Sequence, residues 1–349
     1  MRISSRIFHS VFQLITTMQS YLSIPMEELP LNFRLVLYFI HCTELLLILT
    51  SVSLMMFAMK ILMNSAVFHV HLSVMFCIGF SVYILSTIGR LILILFELHL
   101  IQPIGGTDDP LLIGASFLRL YGIFYLIFTL IGFTGERACA TYWCDDYERK
   151  TRWWIVPLIS SFSFFGGFIL TYTLLFDIMT WSMLVIAAGV INIAGFVPFL
   201  LLFRYNSRKW TAMRSFQQKA AISLNGYELS KRFQLLENIR VSKLLYKMSI
   251  PVFVNYLLIA GFYFSHLLCT IPYISHLSLS LFDLWIALFA TSVPLMGYVI
   301  EPSWRTAARR KLRGARRVGV YESEKRRTVD SGHNTNLHFS HLSQIWDCT

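Results

Sequence analysis

Seven separate stretches of this chain are long and apolar enough to cross a lipid bilayer as a helix, and few folds accommodate that. Covering the hydrocarbon core takes about 20 residues, and a helix satisfies its own backbone polar groups where water is absent. The stretches run Leu35–Met59, Val70–Phe96, Leu111–Gly135, Trp153–Phe176, Met179–Phe203, Met248–Ile271 and Leu277–Ile300. Apolar character persists from Ile61 to Ile101 around Arg90, but dividing that region leaves two pieces too short to span, so it counts once. Composition agrees: 56% of the 349 residues are hydrophobic and 14% charged, against about 45–50% and about 25% in soluble domains. A water-soluble globule is excluded, and 29 Phe, 16 Tyr and 8 Trp exclude an unfolded chain. The expected fold is an all-α membrane protein, a seven-transmembrane helix bundle.

The links between spans alternate in charge. Residues 97–110, Asp177–Ile178 and Pro272–His276 contain no Lys or Arg. Lys60, the link after the third span, the residues from Arg204 to Lys247 and the tail after Glu301 together carry 25 of the 30 basic residues. Only Arg2, Arg6 and Arg34 fall on the opposite side, with Arg90 and Arg119 inside spans. Basic loops stay cytoplasmic, which puts the N-terminus outside and the C-terminus inside. Residues 1–34 then form an extracellular segment, 35–300 the membrane domain and 301–349 a basic cytoplasmic tail. The net charge of +11 reads as a topological label and an attraction to anionic inner-leaflet lipid, not as a nucleic-acid footprint. Arg2 and Arg6 precede an interrupted apolar run that makes a weak signal peptide, so an uncleaved extracellular tail is expected.

Reactive chemistry is not indicated. The six cysteines miss the outer links, so no extracellular disulfide framework can be assembled. His69 and His71 are spaced i, i+2, which points them to different sides of a helix where a zinc pair wants i, i+4, and no carboxylate adjoins them in sequence. No Walker loop, His-Glu-x-x-His or Gly-x-Ser-x-Gly occurs. Neither an enzyme nor a metal or cofactor is expected.

The basic side holds the ordered motifs. The third span ends in Glu136-Arg137, and an acid beside an always-charged guanidinium can hold it at rest and release it when helices move. Marking the lipid–water boundary is the plainer use of the same pair. Between Arg204 and Lys247, Leu224-Asn225-Gly226 signals a turn, and Leu229, Phe233, Leu236 and Leu244 recur at helical spacing. The fifth and sixth spans are therefore expected to extend as helices beyond the membrane, either as a self-packed hairpin or as a surface for a partner. Trp304, Ala308 and Leu312 among Arg305, Arg309, Arg310 and Lys311 suit a short helix on the inner leaflet.

Glu136-Arg137-x-x-Ala140-Thr141 with Asp146-Tyr147-Glu148 resembles the nematode serpentine receptor class epsilon (Sre) chemoreceptors. So do Pro198-Phe199 with Arg204-Tyr205-Asn206, and Leu229-Ser230-Lys231-Arg232-Phe233-Gln234 with Glu237-Asn238. The resemblance runs from the first span to about Glu301. It implies a seven-helix receptor of chemosensory neurons, sited in the plasma membrane and their cilia, that binds an external small molecule and activates a heterotrimeric G protein. Pairing with a second receptor stays open. By the resemblance, Glu136 and Arg137 take the place of the acidic–Arg switch of rhodopsin-like receptors, with Tyr147, Arg232, Phe233 and Glu237 as further coupling residues. Glu237 lies about 16 Å of helix below Met248 at about 1.5 Å per residue, so a direct Arg137–Glu237 lock is not expected. The outer Cys pair and the Asn-Pro-x-x-Tyr of rhodopsin-like receptors are missing.

Charges inside spans are costly and are functional candidates by default. Glu44, Arg90, Arg119, His266 and Asp283 all map to the outer half. Glu44 with Arg90 and Arg119 with Asp283 would neutralise one another; alternatively Arg119 faces a ligand cavity that His266, Tyr263 and Trp285 help to line. Pro198 and Pro294 are hinge candidates. A seven-span ligand-gated channel and a transporter are the rival functions. The first runs with its N-terminus inside, against the charge count, and the second calls for internal repeats that are not visible.

Overall fold

A computed structural model describes residues 29–64, 68–102, 109–143, 152–176, 178–220, 226–269 and 271–314, with side chains left undescribed at 181, 213–220, 226–234, 267 and 312–314. Eight helices occur among them and no strand: α1 (Leu31–Asn64), α2 (Val70–Glu97), α3 (Pro110–Tyr142), α4 (Ile155–Leu175), α5 (Trp181–Ala220), α6 (Gly226–Leu268), α7 (Pro272–Ile300) and α8 (Pro302–Gly314). The first seven are long and apolar enough to span a membrane. The protein is a multi-pass membrane protein.

The helices outrun the apolar stretches because a helix needs no apolar side chains once it leaves the lipid. α1 begins at Leu31, inside the segment read as extracellular, and continues past Lys60 to Asn64. α5 reaches Ala220, and α6 begins at Gly226, 22 residues before Met248. Pro198, Pro251 and Pro294 therefore all lie inside helices, Pro251 well within α6. The turn read at 224–226 falls on residues outside those described, except for Gly226.

α1 packs on α2 and α7, α7 on α6, α6 on α5, and α3 touches α2, α4, α5 and α6 from the middle of this ring. The most extensive pairing is α2 with α3, and two glycines make it possible. A Cβ on Gly89 would sit 2.5 Å from the Ala115 carbonyl oxygen, and one on Gly122 would sit 2.2 Å from Ser86 Cβ. In that contact Ser86 donates to the Arg119 carbonyl at 2.9 Å. Gly89→Ala must push backbone against backbone, which is expected to cost about 1–3 kcal/mol as overpacking does. A lowered thermal midpoint of the detergent-solubilised protein checks this.

The chain divides into two compact units at Pro302. In the second, α8 carries Arg305, Arg309, Arg310 and Lys311 alongside the buried Trp304 and Ala308, which gives it an amphipathic character.

Candidate functional site

Charged side chains gather in two places along α3. Arg119 and Arg137 are 18 residues apart, about 27 Å of helix, so the gatherings lie towards opposite ends of the bundle.

At the Arg119 end the two expected pairs exist, but inside one larger network. Arg90 Nε and Nη2 donate to Glu44 at 2.7 and 3.0 Å, and Nη1 donates to Glu97 at 2.9 Å. Arg90 Nη2 also lies 3.4 Å from Asp283, whose other oxygen accepts from Arg119 Nη2. His41 stands between Glu44 and Glu97, at 3.3 and 3.6 Å. Helices α1, α2, α3 and α7 each contribute, and all six side chains are buried, Glu44 completely. Sequence reading missed two members. Glu97 falls in the link between apolar stretches by composition, yet it is the final residue of α2 and is buried. His41 shows its role only through the carboxylates it meets.

His266 does not join this network. Its Nδ1 lies 2.8 Å from the Ser275 hydroxyl at the α6–α7 turn. An aromatic path connects the two, however: the Arg119 guanidinium is 5.7 Å from the Phe282 ring, Phe282 is 6.0 Å from Tyr263, and Tyr263 is 5.9 Å from His266. Four buried polar atoms on α3 and α7 have no hydrogen-bond partner among the described residues: Arg119 Nε, Ser116 Oγ, Ser280 Oγ and, beside the Phe262 ring, Trp285 Nε1. Ser116 is one turn before Arg119 and Ser280 one turn before Asp283, so the two serines adjoin the Arg119–Asp283 pair on the same side.

At the Arg137 end, Arg137 donates twice to Glu136, from Nε at 2.5 Å and Nη2 at 2.6 Å. Its Nη1 donates to Asn238 Oδ1 on α6 at 3.0 Å. Both Glu136 and Arg137 are buried, Arg137 with only 1% of its surface exposed. No direct Arg137–Glu237 pair forms among the described residues, as expected, but distance along the helix is not the reason, since the neighbouring Asn238 does reach Arg137. α3 itself continues to Tyr142, so its C-terminal end meets the extended part of α6. Glu237 accepts instead from the backbone N–H of His69 at 2.8 Å. Asn206 on α5 donates to Thr141 Oγ1 at 2.9 Å, and Thr141 donates to the Arg137 carbonyl at 2.8 Å. Three of the sequence motifs thus meet within one cluster that links α2, α3, α5 and α6. Tyr147 lies outside the described residues, and Arg232 and Phe233 are described only as α6 backbone.

The histidine pair also departs from its reading. His69 is not helical: it caps α2 with ψ 143°, its Nδ1 accepting from the His71 N–H at 3.4 Å. The helical i, i+2 argument therefore does not apply, and the rings meet edge to face with centroids 4.8 Å apart. A carboxylate does adjoin them, Glu136 from α3, with one candidate ligand atom from each of the three residues lying within 4.8 Å of the others. Burial, then the neighbouring His71, push the His69 imidazole down to about 4, with Glu136 opposing the shift and Arg137 adding to it.

The sequence has counterparts among known proteins. Residues 11–347 match the family described as Sre G protein-coupled chemoreceptor. The chain belongs to the Sre family. It is 26% identical over 266 residues to serpentine receptor class epsilon-8 of Caenorhabditis elegans, covering 72% of this chain and 73% of that one. Serpentine receptor class epsilon-13 of the same organism is 25% identical over 256 residues, 69% and 66% of the two chains. Serpentine receptor class epsilon-2, again from C. elegans, is 25% identical over 320 residues, 82% and 84% of the two chains. Sre membership supports a chemoreceptor role for this membrane protein. It also fits the absence of a sequence signature for catalysis.

Proposed function

We propose that this Sre protein is a chemosensory receptor that binds an external small molecule and activates a heterotrimeric G protein. The observation that carries the reading is the buried Glu136–Arg137–Asn238 contact, which joins α3 to α6 at the basic end of the bundle. The basic end faces the cytoplasm of the plasma membrane, in the sensory cilium by the family's character, with α8 resting on anionic lipid. Arg137 rests between Glu136 and Asn238. A ligand that binds the open arrangement better shifts the population towards it, and outward movement of the lower part of α6 then releases Arg137 to a Gα subunit. The segment from Pro251 to Asn238 is about 20 Å of helix, so a small bend at Pro251 becomes a large displacement there. Pro198 and Pro294 serve the same purpose in α5 and α7. Tyr147, Arg232 and Phe233 lie in sequence beside this region and complete the contact with the G protein.

The ligand reading centres on Arg119, Asp283 and His266. The unpartnered polar atoms of Ser116, Arg119, Ser280 and Trp285 call for a hydrogen-bonding molecule, while Glu44 and Arg90 hold the floor beneath them. Expression with a panel of Gα subunits and a library of water-soluble and volatile compounds tests the function. An epitope at the C-terminus should be reachable only after permeabilisation, and an external C-terminus would defeat the reading. Asn238→Ala removes a hydrogen bond to a charged group, worth about 1.5 kcal/mol, so ligand-independent signalling is expected to rise roughly tenfold. Arg119→Ala combined with Asp283→Ala, which keeps the charge balance, should reach the surface and lose its agonist response.

A further inference from the structure

We propose that His69, His71 and Glu136 form a binding site for one divalent transition-metal ion, zinc being the natural choice, at the junction of α2 and α3. Two imidazoles and a carboxylate are a donor set suited to zinc, leaving one position for water. The three candidate ligand atoms already fall within 4.8 Å of one another. Ligand atoms about 2.0–2.1 Å from a tetrahedral zinc are about 3.4 Å apart, so closure calls for side-chain movements of one to two ångströms at most. His69, only half-buried, has the room to make them.

The surroundings favour the ion. Glu136 and Glu237 set two formal negative charges against the one positive charge of Arg137, and Arg240, next along α6, is occupied by Glu301. The double hydrogen bond from Arg137 fixes the Glu136 carboxylate, the kind of outer support that metal-bound carboxylates use. His71 is oriented by the Trp153 ring, whose centroid is 5.9 Å away at a steep angle. The cost is the 3.4 Å cap contact of His69. A ring that binds the ion through Nδ1 has given up that lone pair, and one that binds through Nε2 carries its proton on Nδ1.

The site needs nothing from the proposed coupling role, which enters only in its consequence. Since the ion and Arg137 share Glu136, a bound ion ties the start of α2 to α3 and lowers agonist-stimulated signalling.

Zinc titration of the purified, tag-free receptor in detergent, followed by calorimetry, tests the site, with cobalt absorption reporting tetrahedral geometry. The wild type should bind one ion saturably, and His69→Asn and His71→Gln should each weaken it at least tenfold. His69→Asn is the decisive variant, because asparagine retains a side-chain oxygen to cap α2, and its metal-free thermal midpoint should match the wild type. Equal zinc affinity in the wild type and His69→Asn, or no saturable binding, overturns the site. Tight binding without an effect of zinc on signalling retains the site and overturns its link to coupling.

Discussion

Replacing Arg137 by alanine is expected to abolish G-protein activation. The guanidinium is almost wholly buried and donates twice to Glu136 within α3 and once to Asn238 on α6. No other residue type supplies an always-charged, planar fork of donors that can leave one set of acceptors for another. The substitution also strands Glu136 as a buried carboxylate, and breaking a buried pair from one side costs about 3–5 kcal/mol. Lower surface yield is therefore expected along with lost signalling. The double variant Glu136→Ala with Arg137→Ala separates the two effects. It removes both charges of the pair, so it should recover surface expression and remain silent. Normal agonist response from that double variant at the cell surface would falsify the switch assignment.

The largest effect on folding is expected from Arg90→Ala. Arg90 faces Glu44, Glu97 and Asp283 within 3.4 Å. Its removal leaves Arg119 and His41 among three buried carboxylates in a region meant for lipid-depth packing. Even the single-pair figure of about 3–5 kcal/mol is a large part of a typical stability of about 5–15 kcal/mol. Most of the variant should fail to reach the plasma membrane, measured as a drop of tenfold or more in surface antibody labelling. Arg90→Leu with Glu44→Leu leaves Glu97 beside His41 and Asp283 beside Arg119, and apolar replacement of a buried pair is often close to neutral. Surface labelling should then return. A single variant at wild-type surface levels would show that the network contributes little to folding.

Both outcomes turn on contacts with different degrees of legibility. The Glu44–Arg90 and Arg119–Asp283 pairs could be named from sequence, because opposite charges at similar depth in a bilayer have almost no alternative to one another. Linkage of those pairs through Arg90 and Asp283 could not, since it depends on which faces of α2 and α7 meet. Glu97 and His41 carried no separate signal for the same reason. At the other end Glu136 and Arg137 stood out as charges, but their partner on α6 is a neutral asparagine that hydropathy does not distinguish. Helical spacing does not describe the histidine pair, because His69 is a cap, and the carboxylate beside it comes from a helix 65 residues on in sequence.

Sequence by itself determined the number of spans, the single-sidedness of the basic residues and the family, because each depends on local composition or on motif order along the chain. Lipid has no hydrogen bonds to offer, so apolar length alone dictates where helices must run. Only the tertiary structure decided how the helices share their buried polar groups. Gly89 and Gly122 bring α2 against α3, and α3 in turn gathers side chains from the helices around it. Such partners are distant in sequence, and their short-range contacts depend on helix rotation and register, which no periodicity along one helix records.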